Sequence, residues 1–228
     1  ARHHFAKLDG ITIPESLDSK YFKVKGGVLT GITSAGQSYL AGQGRNGVLV
    51  LPSSITRIDN NVFTQRFQNF KAIYAEGVTE VSSFAFQQTG SLNFAHLPKL
   101  KKLGEAVFTD NASLTAVNFP LLEEIGDVCF TGGANFSGNG LKITYVSIPA
   151  AKKIGSGAFH GNYKHSGVTF ILGAQPEVNT KAYEDYPQEG FVAFGQLKSP
   201  ILYVTPEHLK TYTLTDGKWH GFTVKELK

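Results

Sequence analysis

Ser113-Leu-Thr-Ala-Val-Asn-Phe-Pro-Leu-Leu-Glu-Glu-Ile-Gly-Asp-Val-Cys-Phe130 decides the fold, because the chain repeats its pattern. SLNFAHLPKLKKLGEAVF (Ser91 to Phe108) and KITYVSIPAAKKIGSGAF (Lys142 to Phe159) align with it without a gap. All three share an aliphatic residue at Leu92, Leu114 and Ile143, a proline at Pro98, Pro120 and Pro149, and a glycine at Gly104, Gly126 and Gly155. The alternation at Ala95 and Leu97, Val117 and Phe119, and Val146 and Ile148 has the period of a short strand with one face inward. The proline ends that strand, since it has no amide to donate. The glycine then turns the chain, with a positive φ expected.

Outward from these three units, an aliphatic residue is followed five places later by an aromatic six times. The pairs are Ile58 and Phe63, Val81 and Phe86, Leu103 and Phe108, Ile125 and Phe130, Ile154 and Phe159, and Val178 and Tyr183. The aromatics lie 23, 22, 22, 29 and 24 residues apart. A period in this range means stacked coils, each burying its apolar edges only against its neighbours. The outer copies are looser. Val48 to Phe63 and Lys71 to Phe86 read as carrying one extra residue after the strand, and Val168 to Tyr183 puts Tyr in place of Phe.

The residue before each second aliphatic is Arg57, Glu80, Lys102, Glu124, Lys153 and Glu177, so its sign alternates through six rungs. Rungs stacked at about 4.8 Å place each charge between two of opposite sign.

Composition narrows the class. With 41% hydrophobic and 18% charged residues, the 228-residue chain folds rather than remaining disordered. The net charge of +4 comes from scattered Lys and Arg without a long basic run, which argues against nucleic acid as a partner. The single cysteine, Cys129, rules out an internal disulfide framework and sits at a small core position of its rung. No apolar run approaches the roughly 20 residues of a membrane span. Met is absent, including at position 1. The expectation is a mature form whose export signal or anchor lies outside this sequence.

At the ends, Tyr21 to Gly31 reads as a hairpin about Gly26-Gly27. Ser34 to Gly47, rich in Gly, Ser and Gln, reads as a loop. Ile201 to Val204 reads as a strand, followed by a helix over Glu207 to Tyr212 with Thr205-Pro206 as its start. Trp219 and His220 read as a hydrophobic lid. The expected division is an N-terminal segment and β cap over 1–46, a solenoid over 47–190 and a C-terminal cap over 191–228. Thr131 to Leu141 is a Gly-rich excursion without the helix and Lys of a phosphate loop. His3-His4 reads as a natural pair or a tag remnant. Asn111-Ala-Ser113 and Asn135-Phe-Ser137 match the short glycosylation triplet.

Val146-Ser-Ile-Pro149 with Ile154-Gly-Ser-Gly-Ala-Phe159, the entry segment Phe22 to Gly31 leading to Val50-Leu-Pro52, and the exit residues Leu202-Tyr-Val204, Tyr212, Trp219 and Phe222 resemble the BspA-like leucine-rich repeat family of bacterial surface proteins. The resemblance covers about residues 21 to 228. It implies a right-handed, mainly β solenoid of short parallel strands joined by turns or short helical segments, with a β-hairpin cap and a strand-helix cap. It also implies an extracellular or envelope location and adhesion to host matrix proteins or other cells. Glu76-Gly77 departs from the family pattern by replacing the proline region of the second rung.

No catalytic constellation stands out. The seven His (3, 4, 96, 160, 165, 208 and 220) form no metal-ligand spacing, and no cofactor or metal site is expected. Ile154-Gly-Ser-Gly-Ala158 is a repeat turn rather than a nucleophile elbow. Function is expected instead on the outward strand positions: Val48 and Val50, Lys71 and Ile73, Phe94 and His96, Ala116 and Asn118, Tyr145 and Ser147, Thr169 and Ile171. Val50, Ile73, Phe94, His96, Asn118, Tyr145 and Ile171 are the candidate partner-binding residues, because a merely solvated face is polar. Three readings follow. The first is a non-catalytic adhesion module for a protein partner. The second is a glycan-binding envelope protein using Tyr145, Asn118 and His96. The third is a hydrolase whose residues are distant in sequence.

Overall fold

The computed structural model describes residues 20–43, 47–64, 70–132, 141–161, 163–185 and 191–228. His3-His4, Asn135 and residues 133–140 of the Gly-rich excursion lie outside them.

The chain opens with the hairpin β1 (Phe22–Lys25) and β2 (Val28–Ile32), whose turn residues Gly26 and Gly27 both have positive φ, at 57° and 77°. That is the conformation of a tight hairpin turn, and glycine adopts it without a Cβ penalty. Residues 34–43 are not the expected loop; they form helix α1 (Ser34–Gln43). Thr33 caps it, its Oγ1 accepting the Gly36 amide at 3.0 Å. Leu40 is buried, and the Tyr39 ring rests 4.9 Å from Tyr21. A cap and two tertiary contacts outweigh a composition that favours coil.

Each rung then contributes a longer strand and a two-residue strand. They are β3 (Gly47–Val50) and β4 (Arg57–Ile58), β5 (Phe70–Tyr74) and β6 (Glu80–Val81), β7 (Phe94–His96) and β8 (Lys102–Leu103). They continue as β9 (Ala116–Asn118) and β10 (Glu124–Ile125), β11 (Tyr145–Ile148) and β12 (Lys153–Ile154), and β13 (Thr169–Leu172) and β14 (Glu177–Val178). The chain ends with β15 (Ile201–Val204), α2 (Pro206–Leu209), β16 (Lys218–Trp219) and β17 (Phe222–Glu226). The helix is shorter than expected, and Thr205 holds its N-cap position without a side-chain bond.

Two parallel ladders run along the stack. The short strands form an eight-stranded sheet, β1-β2-β4-β6-β8-β10-β12-β14. In it Arg57, Glu80, Lys102, Glu124, Lys153 and Glu177 stand in register, as the alternating signs imply. Lys102 Nζ lies 3.9 Å from Glu124, and beside the ladder Lys152 donates to Glu123 at 2.7 Å. The longer strands form two sheets, β3-β5-β7 and β16-β17-β15-β13-β11-β9. No hydrogen-bonded ladder joins β7 to β9, so the strand face splits between rungs three and four.

The core is a column of rings. Phe63, Phe86, Phe108, Phe130 and Phe159 stack at centroid spacings of 5.1, 5.4, 5.4 and 5.0 Å, all within 12° of parallel. The spacing follows the rise of about 4.8 Å between strands. Tyr183 is not the next ring. Phe194 takes that place, 5.9 Å and 10° from Phe159. The Phe159 amide bonds to Ala193 O at 2.7 Å, the counterpart of Phe130 bonding to Ala158 O. The sixth rung therefore makes an excursion between Val178 and Phe194 that the spacing of five hid.

The repeat glycines also act differently from expectation. Gly104, Gly126 and Gly155 do not have positive φ; they lie where rungs touch. A Cβ on Gly126 would meet the Gly104 carbonyl carbon at 2.3 Å. The left-handed position of each unit lies two residues before the ring, at Asn61, Phe84, Ala106, Val128 and Gly157, with φ between 47° and 62°. After the ring, Thr64, Thr109 and Thr131 donate to the carbonyls of Phe84, Val128 and Gly157 in the next rung. Asn111 is buried rather than a surface glycosylation site, its amide donating to Phe86 O and accepting from Thr89.

Candidate binding face

In a strand whose odd positions enter the core, the even positions form two rows across the stack. The first row runs Ala116, Tyr145, Thr169, Ile201 and Thr223, and the second Asn118, Ser147, Ile171, Tyr203 and Lys225. Tyr145 is 37% exposed, Ala116 and Asn118 are exposed, and Ser147, Ile171, Ile201 and Tyr203 are half-buried. The structure thus keeps Tyr145, Asn118 and Ile171 together on one face.

It adds Ile201 and Tyr203. The sequence held the signal for them, since Ile201-Leu-Tyr-Val204 alternates like a rung strand. What was missing was the knowledge that β15 joins the same sheet as β13.

The N-terminal third of the face differs. Val48 pairs with Ala72 and Val50 with Tyr74, because an irregularity between Gly47 and Val48 shifts the register by one. The second unit therefore starts at Ala72 and has no extra residue after its strand. Ile73 points into the main core and is fully buried, which removes it from the face, as a one-residue slip must. Tyr74 stands in its place. Val48, Val50, Ala72 and Tyr74 form a second buried cluster against which Phe94 packs. Val50 is therefore buried and not on the open part of the face.

Phe94 and His96 mark the border. The Tyr74 ring lies 5.6 Å from Phe94 and 5.5 Å from His96, and both are half-buried. Burial lowers the pKa of His96, opposed more weakly by the Glu76 carboxylate. His96 is thus kept neutral at pH 7.

Elsewhere the chemistry is structural. Burial pushes the Cys129 thiol up to about 12, which leaves it protonated and unreactive. Tyr183 donates to Glu105 and lies 3.0 Å from Asp185, so its phenol fastens the sixth-rung excursion to rung three. A groove of about 320 Å³ crosses the eight-stranded sheet, floored by Gly104, Gly126 and Gly155 beside the alternating charges. Its charges cancel along its length. Among the described residues no three His, Cys, Asp or Glu side chains converge on a metal position, and no helix is long and apolar enough to cross a membrane.

The pattern of the BspA type leucine rich repeat region matches residues 45–165, in six copies. Among solved structures the chain is similar to a leucine-rich repeat protein from Bacteroides ovatus, at 14% identity over 90% of this chain and 74% of that one, with a TM-score of 0.36. No curated protein matches the chain.

Proposed function

This chain belongs to the BspA-type leucine-rich repeat family, and we propose that it is a non-catalytic module that holds a protein partner on the strand face at a bacterial cell surface. The observation that carries this reading is the continuous pair of rows from Ala116 to Tyr203. Tyr145, Ile171, Ile201 and Tyr203 all stand on it in register, Tyr145 exposed and the other three partly exposed. Aromatic and aliphatic side chains on a rigid sheet are the usual anchors of a protein interface, with polar neighbours as the rim. Parallel stacking fixes their spacing in advance, which lowers the ordering cost of binding.

The partner is a host extracellular-matrix or cell-surface protein. Immobilised purified matrix proteins, probed with wild type and with the double variant Ile171→Ser, Tyr203→Ser, test the reading. Loss of tenfold or more in affinity is expected when two anchors are removed. Equal retention of the folded double variant rejects the face.

A further inference from the structure

We infer that the split in the strand face, between rungs three and four, is a binding site for an uncharged sugar ring at the end of the protein-binding rows, with which it shares Tyr145. This goes beyond the protein interface at Ile171 and Tyr203.

The first row reads Phe94, Ala116, Tyr145 across three successive rungs. Phe94 and Ala116 occupy the same position of their units, and the flanking β8–β10 ladder and the Phe108–Phe130 stack hold the two rungs in register. Ala116 pairs directly with Tyr145. A single small residue between two aromatics makes a notch one rung wide. The second row supplies its polar edge: His96, then Asn118 paired with Ser147.

Size selects among occupants. Two strand spacings separate the walls by about 10 Å at the backbone, and the unladdered gap between β7 and β9 lies within that width. A helix about 10–12 Å across cannot enter. One six-membered ring can.

Chemistry selects further. From Phe94 to Tyr203 neither row carries a formal charge, so neither phosphate nor a carboxylate-bearing sugar finds a counter-ion there. An apolar side-chain anchor prefers a pocket with few polar groups. Here the Asn118 amide, the Ser147 hydroxyl and the Tyr145 phenol border one small notch, and such a set suits a ligand with several hydroxyls. The apolar C–H face of a sugar ring then lies on the aromatic wall. That wall is preorganised, because Tyr74 backs both Phe94 and His96.

The test fills the notch. Ala116 is exposed, so Ala116→Phe is placed without disturbing the core; matching far-UV circular dichroism and thermal unfolding verify the fold. Saturation-transfer NMR with a panel of neutral gluco-, galacto- and manno-oligosaccharides at millimolar concentration reads binding. Sulfated and uronic-acid oligosaccharides serve as charged comparators.

Wild type is expected to bind at least one neutral oligosaccharide. Ala116→Phe and Asn118→Ala should each weaken that binding tenfold or more, and Ala116→Ser should retain it. Sugar binding should survive the double variant Ile171→Ser, Tyr203→Ser, which lies outside the notch, so the two readings fail separately. The inference is overturned if no neutral oligosaccharide binds, if the charged ones bind better, or if Ala116→Phe binds as well as wild type. It is also overturned if Ala116→Phe abolishes protein capture while no sugar binds, which would make the notch a seat for a partner's side chain.

Discussion

Gly126 and Asp110 show how tightly single residues are specified here. A methyl group on Gly126 would overlap the backbone of Gly104 in the rung below. Gly126→Ala must therefore force two rungs apart, and a loss of about 3 kcal/mol is expected from urea unfolding. Alanine at exposed Gly42, where a Cβ meets nothing within 4 Å, should cost nothing measurable.

Asp110 has a buried Oδ1 without a hydrogen-bond partner. Burial raises its pKa to about 6, against a weaker opposing bond from Gln88. The folded state then holds a proton that the unfolded chain has lost. Its contribution to stability is full below the ordinary carboxylate pKa and disappears as pH rises through about 6. Asp110→Asn should be more stable than wild type at pH 7 and should flatten the change in Tm between pH 4 and 7. An unchanged pH profile would remove Asp110 from the account.

At the scale of elements, the sixth rung is the informative case. Tyr183 satisfies the spacing rule, yet Phe194 continues the ring column and is also packed at right angles to Phe170 and Phe222. Phe194→Ala should cost about 3–5 kcal/mol, as for a large core ring. Tyr183→Ala loses chiefly its bond to Glu105 and should cost about 1 kcal/mol. Reversed magnitudes in chemical denaturation would return the rung to Tyr183. The His160 imidazole sits where other rungs place a threonine. It is buried against Phe191, and its Nδ1 has no partner. Its pKa is lowered by burial, so its share of stability is present above the ordinary histidine pKa and declines as pH falls below it.

Across the whole molecule, stability is distributed along one axis. Each rung contacts its neighbours through the ring column, the threonine staples and the charge ladder, so unfolding should be cooperative over adjacent rungs. The ladder sets register more than it adds energy, because its pairs are exposed. Lys102→Glu places three acids in succession at rungs two to four. It should lower stability by about 0.5 kcal/mol at low salt, with the difference shrinking in 1 M salt. A salt-independent change would mean that the lysine acts through packing instead.

The sequence by itself determined the stacked architecture, the inward alternation and the charge register, because each is written in residues a few positions apart and repeated unit by unit. Gly26-Gly27 and Ile201 to Val204 were legible for the same reason: their signals are local. The tertiary structure alone decided that Ile73 faces the core, that Phe194 closes the sixth rung, that residues 34–43 are helical and that the strand face splits at β7 and β9. Each of these depends on contacts between segments far apart in the chain. A one-residue change of register, invisible to composition and period, is enough to move a side chain from solvent to core.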